Sequence, residues 1–283
     1  MKICGVVVLY NPTQDVVKNI YTYLSIIDEI VLFDNSDKMK TMQTDLNEIK
    51  KNKKVKYISY EKNMGIAFAL KESMKYAISQ NYDWCLTMDQ DSNIEIDEKK
   101  IKEVKEILKK NKDYGIISFD YNKQNQENSK ITIRNEKKWI TSGNFVNVEK
   151  YKKTEGFNEE LFIDFVDFDF NRQLYENKIK IGIMNYSINH NIGDPIKINF
   201  LKINLITMNH SPIRYYYRYR NCVYLYKKNK KYYLKTIIYE FIVNLTKMLL
   251  FENNVREKVN MVKKGIKDAK NGKLGIYEYK GEK

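Results

Sequence analysis

Over the first 120 residues, short continuous apolar runs alternate with longer stretches in which apolar residues recur every three or four positions. The runs Ile3 to Leu9, Ile30 to Phe33, Val55 to Ile58, Trp84 to Met88 and Ile116 to Phe119 have the length of strands. Their lack of alternation predicts burial on both faces. Between them, Val16/Ile20/Leu24, Ala67/Leu70/Met74/Ile78 and Ile101/Val104/Ile107/Leu108 repeat at helical spacing. The order βαβαβαβ predicts an α/β fold with a parallel, helix-covered sheet. The opening MKICGVVVLYNP reads as the first buried strand, lacking the length and cleavage site of a signal peptide.

Beyond Tyr121 the pattern loosens into NKQNQENSK, a polar loop or hairpin tip, followed by strand-like pieces near Ile131 to Arg134 and Phe145 to Val148. From Ser211 onward three helical stretches are expected. One of them, Tyr233 to Leu249, carries Leu234, Ile237, Ile238, Phe241, Leu245, Met248 and Leu249 on one face. Lys235, Glu240 and Lys247 break it as a membrane span. The expected organisation is a nucleotide-binding catalytic domain over 1–210 and a basic, amphipathic helical region over 211–283.

Composition adds two things. A chain of 283 residues, 43% hydrophobic, with 11 Gly and 3 Pro, is neither collagenous nor disordered and can bury a substantial core. The net charge of +14 lies wholly in one place: from Pro195 onward there are 20 Lys+Arg against 6 Asp+Glu, and the rest is neutral. Such a distribution fits an anionic surface met by the last third alone. Cys4, Cys85 and Cys222, odd in number and set in apolar or aromatic stretches, read as reduced thiols of a cytosolic protein.

Candidate chemistry gathers after the apolar runs, where ligands bind in parallel α/β sheets. Strand one leads to Tyr10-Asn11, strand two to Asp34-Asn35-Ser36, strand three to Asn63-Met64-Gly65 and strand four to Asp89-Gln90-Asp91. Two carboxylates two residues apart can present hard oxygens to Mg²⁺ or Mn²⁺, with a diphosphate completing the shell. The competing reading is that these aspartates cap the helix beginning near Asp97. Asp34 stands where an acidic side chain can hold ribose hydroxyls, and Asn63 and Gly65 at a strand-to-helix turn. Neither G-x-G-x-x-G nor G-x-x-x-x-G-K-[ST] occurs, which argues against a dinucleotide fold and a P-loop.

A second acidic cluster, Asp164, Asp167 and Asp169 in GFNEELFIDFVDFDF, is set among aromatic residues that raise a carboxylate's pKa, so one of them suits a general base. The alternative is acid complementing a helix dipole. His190, ahead of Gly193-Asp194, is a candidate for metal or diphosphate contact; His210 is a weaker one.

Together, VVVLYNP, DNS, KNMGIAFAL, LTMDQDS, ITSGNFV, GFNEELFIDFVDFDF, the His of NHNIGD, the RYYYRYRN run and GIKDAKNGKLG resemble, in that order, a family 2 glycosyltransferase of the GT-A fold. The narrower resemblance is to the bacterial rhamnosyltransferase-like branch of surface polysaccharide synthesis (capsule, O-antigen). The resemblance implies an inverting, metal-dependent transfer from a nucleoside-diphosphate sugar, dTDP-rhamnose favoured, with UDP-galactose, UDP-glucose, UDP-GlcNAc or UDP-galactofuranose as alternatives. It implies Asp34 on the nucleoside, Asp89 near ribose or diphosphate, Asp91 on Mg²⁺ or Mn²⁺, and Asp167 as base with Asp164 able to share the role. Tyr10, Asn11, Asn63, Gly65 and Lys71 would complete the donor site; Ser142, Gly143, Arg214 and Arg218 would meet acceptor or diphosphate. In the family's E-D-x-D pattern the Glu is replaced here by Val166.

The implied acceptor is a saccharide or a polyprenyl-diphosphate-linked sugar, and the implied location is cytoplasmic, peripheral at the inner face of the cell membrane. A homo-oligomer could use the same amphipathic helix. Two other classes compete: a nucleic-acid binder using Arg214, Arg218 and Arg220 among tyrosines, and a membrane scaffold. A neutral half with acidic strand ends favours the enzyme, with no nucleic-acid partner.

Overall fold

The computed structural model describes residues 1–37, 43–121, 129–190, 196–200 and 203–278. Its centre is an eight-stranded sheet. The first four strands are β1 (Ile3–Leu9), β2 (Glu29–Asp34), β3 (Val55–Ser59) and β4 (Trp84–Asp89). Two-residue β5 (Ser92–Asn93) follows, then β6 (Tyr114–Asp120), β7 (Ile133–Glu136), β8 (Asn144–Asn147) and β9 (Lys180–Ser187). Residues 122–128, the expected polar loop, lie outside the description.

The order is β3-β2-β1-β4-β8-β6-β9-β7. Strands β3, β2, β1 and β4 run parallel, as do β6 and β9. β8 enters antiparallel between β4 and β6, and β7 closes the far edge antiparallel to β9. The sheet is therefore mostly parallel, as the alternation of strands and helices predicts.

Burial follows position. β1, β2, β4 and β6 are buried nearly throughout, which explains their continuous apolar sequence. β3 departs from the expectation of two-sided burial: it is an edge strand with only partial cover, none of its residues being fully buried. Helices α1 (Asp15–Tyr23), α2 (Gln43–Ile49), α3 (Ile66–Ser79), α4 (Glu98–Lys110), α5 (Val148–Tyr151) and α6 (Val166–Glu176) accompany the sheet. Val16, Ile20 and Tyr23 of α1 and Ile101, Val104 and Leu108 of α4 join Val7, Leu32, Trp84, Leu86 and Phe145 in one core. Asp97 caps α4, accepting from the Lys100 N–H at 2.7 Å. That answers the capping alternative for Asp89 and Asp91, because the cap is neither of them.

Two further pairings are short. β10 (Asn189–His190) is antiparallel to β5, and β11 (Ile196–Phe200) to β12 (Ile203–Thr207). The chain closes with α7 (Pro212–Lys228), α8 (Lys230–Ile238), a π-helical turn Tyr239–Asn244, α9 (Leu245–Phe251) and α10 (Val255–Lys270). Gly265 lets α10 approach α7, since a Cβ there would meet the backbone carbonyl of Tyr216. Among the described residues no helix is long and apolar enough to cross a membrane.

The chain divides into two compact units, 1–158 with 170–190, and 159–169 with 191–283. A single cut after residue 210 misses that the acidic segment 159–169 belongs with the C-terminal helices. The reason is local: Arg220 and Asn221 of α7 hold that segment's carbonyls.

Candidate functional site

In the first unit, β1 is the switch point, with β2 on one side and β4 on the other, so a crevice opens beyond the carboxyl ends of β1 and β4. Side chains tie these ends together. The Tyr10 N–H donates to Gln90 Oε1 at 2.9 Å, and Gln90 Nε2 donates back to the Tyr10 carbonyl at 3.1 Å. The Asn11 N–H donates to Ser36 Oγ at 2.7 Å, and the Asn35 N–H to the Leu9 carbonyl at 2.8 Å. Asn11 holds a left-handed backbone, and its side-chain Oδ1 is buried with no hydrogen-bond partner. A buried acceptor left open at a strand end suits a ligand donor.

Asp34 is only 1% exposed. Its Oδ1 accepts from the Ser36 N–H at 3.0 Å and its Oδ2 from the Tyr57 hydroxyl at 2.5 Å. Burial, then the hydrogen bond to Asp34, push the Tyr57 phenol well above its ordinary pKa, so it stays a donor. Lys50 lies 3.4 Å from the centre of the Tyr57 ring. Asn63 accepts from Asn35 Nδ2 at 2.9 Å and from the Gly65 N–H at 3.0 Å. The Met64 N–H donates to Asn35 Oδ1 at 2.7 Å. Gly65 begins α3 with φ of 87°, a conformation that favours glycine, and Lys71 is half-buried in the helix that follows. Tyr60, exposed, stacks on Phe33 at 5.7 Å with Phe68 edge-on to both.

The Asp89-Gln90-Asp91 turn is held from behind. The Asp89 N–H donates to Ser142 Oγ at 3.1 Å, and Ser142 Oγ lies 2.9 Å from Ser92 Oγ. Ser142 is buried, so it supports the acidic turn and offers little surface of its own. Gly143, with φ of 82°, donates its N–H to the Thr87 carbonyl at 2.8 Å. Asn19 Nδ2 donates to the Gln90 carbonyl at 3.0 Å. Asp89 and Asp91 are half-buried, and Asp89 raises the pKa of the buried Tyr23 phenol, after burial itself. The β10 register sets His190 opposite Ser92, next along the chain from Asp91. Gly193 and Asp194 lie outside the described residues. Two carboxylates on one tight turn are a hard-oxygen pair suited to Mg²⁺ or Mn²⁺. Among the described residues no group of three His, Cys, Asp or Glu side chains could hold a metal by itself, so a ligand would supply the remaining oxygens.

In the second unit, Asp164 pairs with Arg214: Nε donates at 3.2 and 3.3 Å and Nη2 at 3.2 Å. Arg218 is tied to Glu240 by two bonds of 2.7 and 2.8 Å, an internal ion pair. Asp167 is half-buried in the first turn of α6, its Oδ1 accepting from the Phe168 N–H at 2.9 Å; Asp169 is fully buried. Of the three acids, Asp169 is the one removed from solvent. His210 is half-buried nearby, its pKa lowered to about 4 by burial and then by Arg214. Cys4, Cys85 and Cys222 are free and buried, as expected of reduced thiols.

Sequence reasoning placed Ser36 and Gln90 at the strand ends without a role and missed Tyr57 and Tyr60; Tyr57 is visible in principle as the one aromatic inside strand β3, whereas Tyr60 carries no pattern.

The model of glycosyl transferase family 2 matches residues 6–174, more than half of the chain. The chain belongs to that family. Over 97% of its length it is 28% identical to the dTDP-rhamnosyl transferase RfbF of Shigella flexneri, covering 96% of that protein. Among solved structures, S. aureus TarS 1-349 in complex with UDP-GlcNAc superposes with a TM-score of 0.57 at 16% identity, over 95% of this chain and 81% of that one. GalNAc-T7 with UDP, GalNAc and Mn²⁺ gives 0.62 at 12% identity over 96% of this chain, which spans only 56% of it. These superpositions carry the fold: the mostly parallel sheet is that of a GT-A glycosyltransferase.

His210 makes stability depend on pH. Its folded pKa of about 4 lies below its ordinary 6.5, so the unfolded chain binds the extra proton first. Stability should be full above pH about 6.5 and fall as pH drops toward 4. In His210→Asn the loss of melting temperature over that window should be smaller than in the parent; an identical loss would show that His210 is not its source.

Proposed function

We propose that the protein is an inverting rhamnosyltransferase that uses dTDP-rhamnose. The observation that carries this reading is the acidic turn Asp89-Gln90-Asp91, held at the switch point by Ser142, Asn19 and the Tyr10–Gln90 exchange. The likeness to RfbF over nearly both whole chains supports rhamnose as the sugar. Asp34 and Ser36 with Asn11 would take the nucleoside, and the N-terminal N–H groups of α3 with Lys71 the phosphates. A UDP-sugar in the same site is the second reading, supported by UDP-GlcNAc bound to a protein of this fold.

In the proposed reaction an acceptor hydroxyl, on a saccharide or a polyprenyl-diphosphate-linked sugar, attacks the anomeric carbon as Asp167 takes its proton. The new C–O bond forms opposite the breaking one, so configuration inverts, and the electron pair leaves on the nucleoside diphosphate. Asp89 and Asp91 would hold Mg²⁺ or Mn²⁺, which offsets the charge growing on the departing diphosphate. His190 is a candidate third ligand on the strength of its register beside Ser92. Asp164 serves Asp167 best as its neighbour, because its own carboxylate is engaged by Arg214.

Two substitutions test this assignment. Asp91→Asn should abolish Mn²⁺-dependent binding of dTDP in a thermal-shift titration, since a hard cation needs anionic oxygen. Asp167→Asn should leave that binding intact and lower dTDP release from dTDP-rhamnose by roughly 10² to 10⁴. Normal turnover in Asp167→Asn, with Asp164→Asn inactive, would reverse the two roles.

We also assign an anionic membrane surface to the second unit. The face expected in sequence is divided: Leu234, Ile238 and Leu249 are exposed, as is Ile242, whereas Met248 is buried with Tyr215, Tyr219 and Val262, and Phe241 and Leu245 pack against them. Lys227, Lys228, Lys230, Lys231 and Lys235 are exposed on or beside the same stretch. Each Lys near an anionic surface contributes about 1 kcal/mol, and the apolar side adds burial at the headgroups. The double substitution Ile238→Ser and Ile242→Ser should abolish salt-sensitive flotation with phosphatidylglycerol vesicles while sparing dTDP binding. Equal flotation with neutral vesicles, or none at low salt, would leave this face to a second copy of the chain.

A further inference from the structure

The turn that leads into α6 is strained in an uncommon way. Phe162, Asp164 and Phe165 all adopt left-handed backbone, with φ of 64°, 62° and 65°. None is glycine, and two are bulky aromatics for which this region is disfavoured. Such a turn persists only where its surroundings over-determine it.

What fixes it is a pair of adjacent side chains from α7, both fully buried. Arg220 Nη2 donates to the carbonyls of Glu160 and Leu161, each at 3.0 Å. The Asn221 amide shares its two hydrogens among the carbonyls of Leu161, Ile163 and Asp164 at 2.8 to 2.9 Å. Arg220 Nε in turn fixes Asn221 Oδ1 at 2.9 Å. The carbonyls of 160, 161, 163 and 164 are thus held by two residues of one helix. Phe162 completes the seat, its ring stacked on Tyr217 at 4.8 Å.

The described hydrogen bonds of Arg220 all go to neutral oxygens, and its guanidinium lies 4.9 and 5.4 Å from the Tyr217 and Tyr216 ring centres. A fully buried cation whose hydrogen bonds go to neutral groups, with the Asp268 carboxylate acting on it only at a distance behind the Tyr216 hydroxyl, is expensive. Leu or Met would fill the space more cheaply, so the expense implies a geometry that apolar packing cannot set. The tail reinforces it: Gly275 accepts from Arg220 Nη1 at 2.5 Å and donates its N–H to the Glu160 carbonyl at 2.8 Å. The closing GIKDAKNGKLG is thereby drawn into the same network.

We propose that Arg220 and Asn221, with the Gly275 segment, are positioning residues that fix the strained turn 162–165 and so aim the proton-accepting acids Asp164 and Asp167. This rests on the base assignment made above. The turn ends two residues before Asp167, so relaxing any of its three left-handed residues re-aims both acids while leaving the first unit's sheet untouched.

The full-length protein with Arg220→Lys or Asn221→Leu tests this. Lys keeps the charge and loses the planar fork; Leu keeps the volume and loses the donors. Both should lower kcat for dTDP release from dTDP-rhamnose about 10- to 100-fold, the cost of misplacing a reacting group by about 1 Å. The Kd for dTDP should stay within about twofold. A chain ending at Lys273, which lacks Gly275 but keeps every helix, should show a smaller loss of the same kind and decides the matter if the point variants fail to unfold cooperatively. Unchanged kcat in the folded variants, or dTDP binding lost in parallel with kcat, would overturn the proposal. Asp167→Asn separates the two ideas: if it is inactive while the Arg220 and Asn221 variants turn over normally, the base stands and the positioning role falls; if it turns over normally, the base assignment itself falls.

Discussion

One pairing governs the nucleotide end of this protein: β1 lies between β2 and β4, and all three run the same way. Parallel direction brings Leu9, Asp34 and Asp89 to one edge of the sheet, and the reversal of strand order at β1 parts the loops that leave it. The carboxylates of Asp34, Asp89 and Asp91, gathered at these strand ends, repel each other, and the loops that carry them have backbone groups that need partners. Side chains meet both needs here. Tyr57 and the Ser36 N–H share Asp34, Ser142 takes the Asp89 N–H, and Gln90 closes on Tyr10. The Asp34 carboxylate and the backbone of the Asp89-Gln90 turn are thus held by the protein itself, which lowers the ordering cost of binding a ligand there.

The second unit solves a different problem with the opposite charge. Its arginines are largely engaged within the unit: Arg220 is buried against backbone carbonyls, Arg218 is tied to Glu240, and Arg214, still partly exposed, pairs with Asp164. Buried Lys258 pairs with buried Glu252, which also accepts from Tyr215 and Thr207. The RYYYRYRN run that looks in sequence like a nucleic-acid platform is mostly an internal frame, with Tyr215, Tyr216, Tyr217 and Tyr219 all buried. Exposed basic residues remain around α8 and along α10, where Arg256, Lys263, Lys267 and Lys270 face solvent; the α8 set lies beside exposed apolar residues of the same stretch.

This division explains what could be read from the sequence. Strands with two buried faces announce themselves by continuous apolar runs, so β1, β2, β4 and β6 were legible, and so was the acidic turn that follows β4. Periodicity reports burial and never names a partner. It could not show that β8 inserts antiparallel between β4 and β6, that Ser142 turns inward to Asp89, or that Arg218 is engaged by Glu240. Nor could it place 159–169 with helices some 50 residues later, because that attachment consists of side chain to carbonyl bonds, which leave no spacing rule behind.

The two halves of the proposed chemistry make unequal demands on geometry. Nucleotide binding tolerates small displacements, since several hydrogen bonds and a diffuse charge share the ligand; proton transfer does not, since it needs one oxygen within hydrogen-bond reach of one hydroxyl. The backbone reflects the difference. The turns at the strand ends of the first unit hold single left-handed non-glycine residues, Asn11 and Glu61, besides glycines, whereas the acid-bearing turn holds three within four positions and is fastened by a buried arginine. Strain of that density is unstable alone and must be stored against a rigid partner. Placing it on the most heavily cross-linked part of α7, where Gly265 brings α10 into backbone contact, meets that requirement. The mould of the acid-bearing turn would then be α7 with α10 behind it, and a membrane face on α8 and α9 would belong to the same unit of the chain.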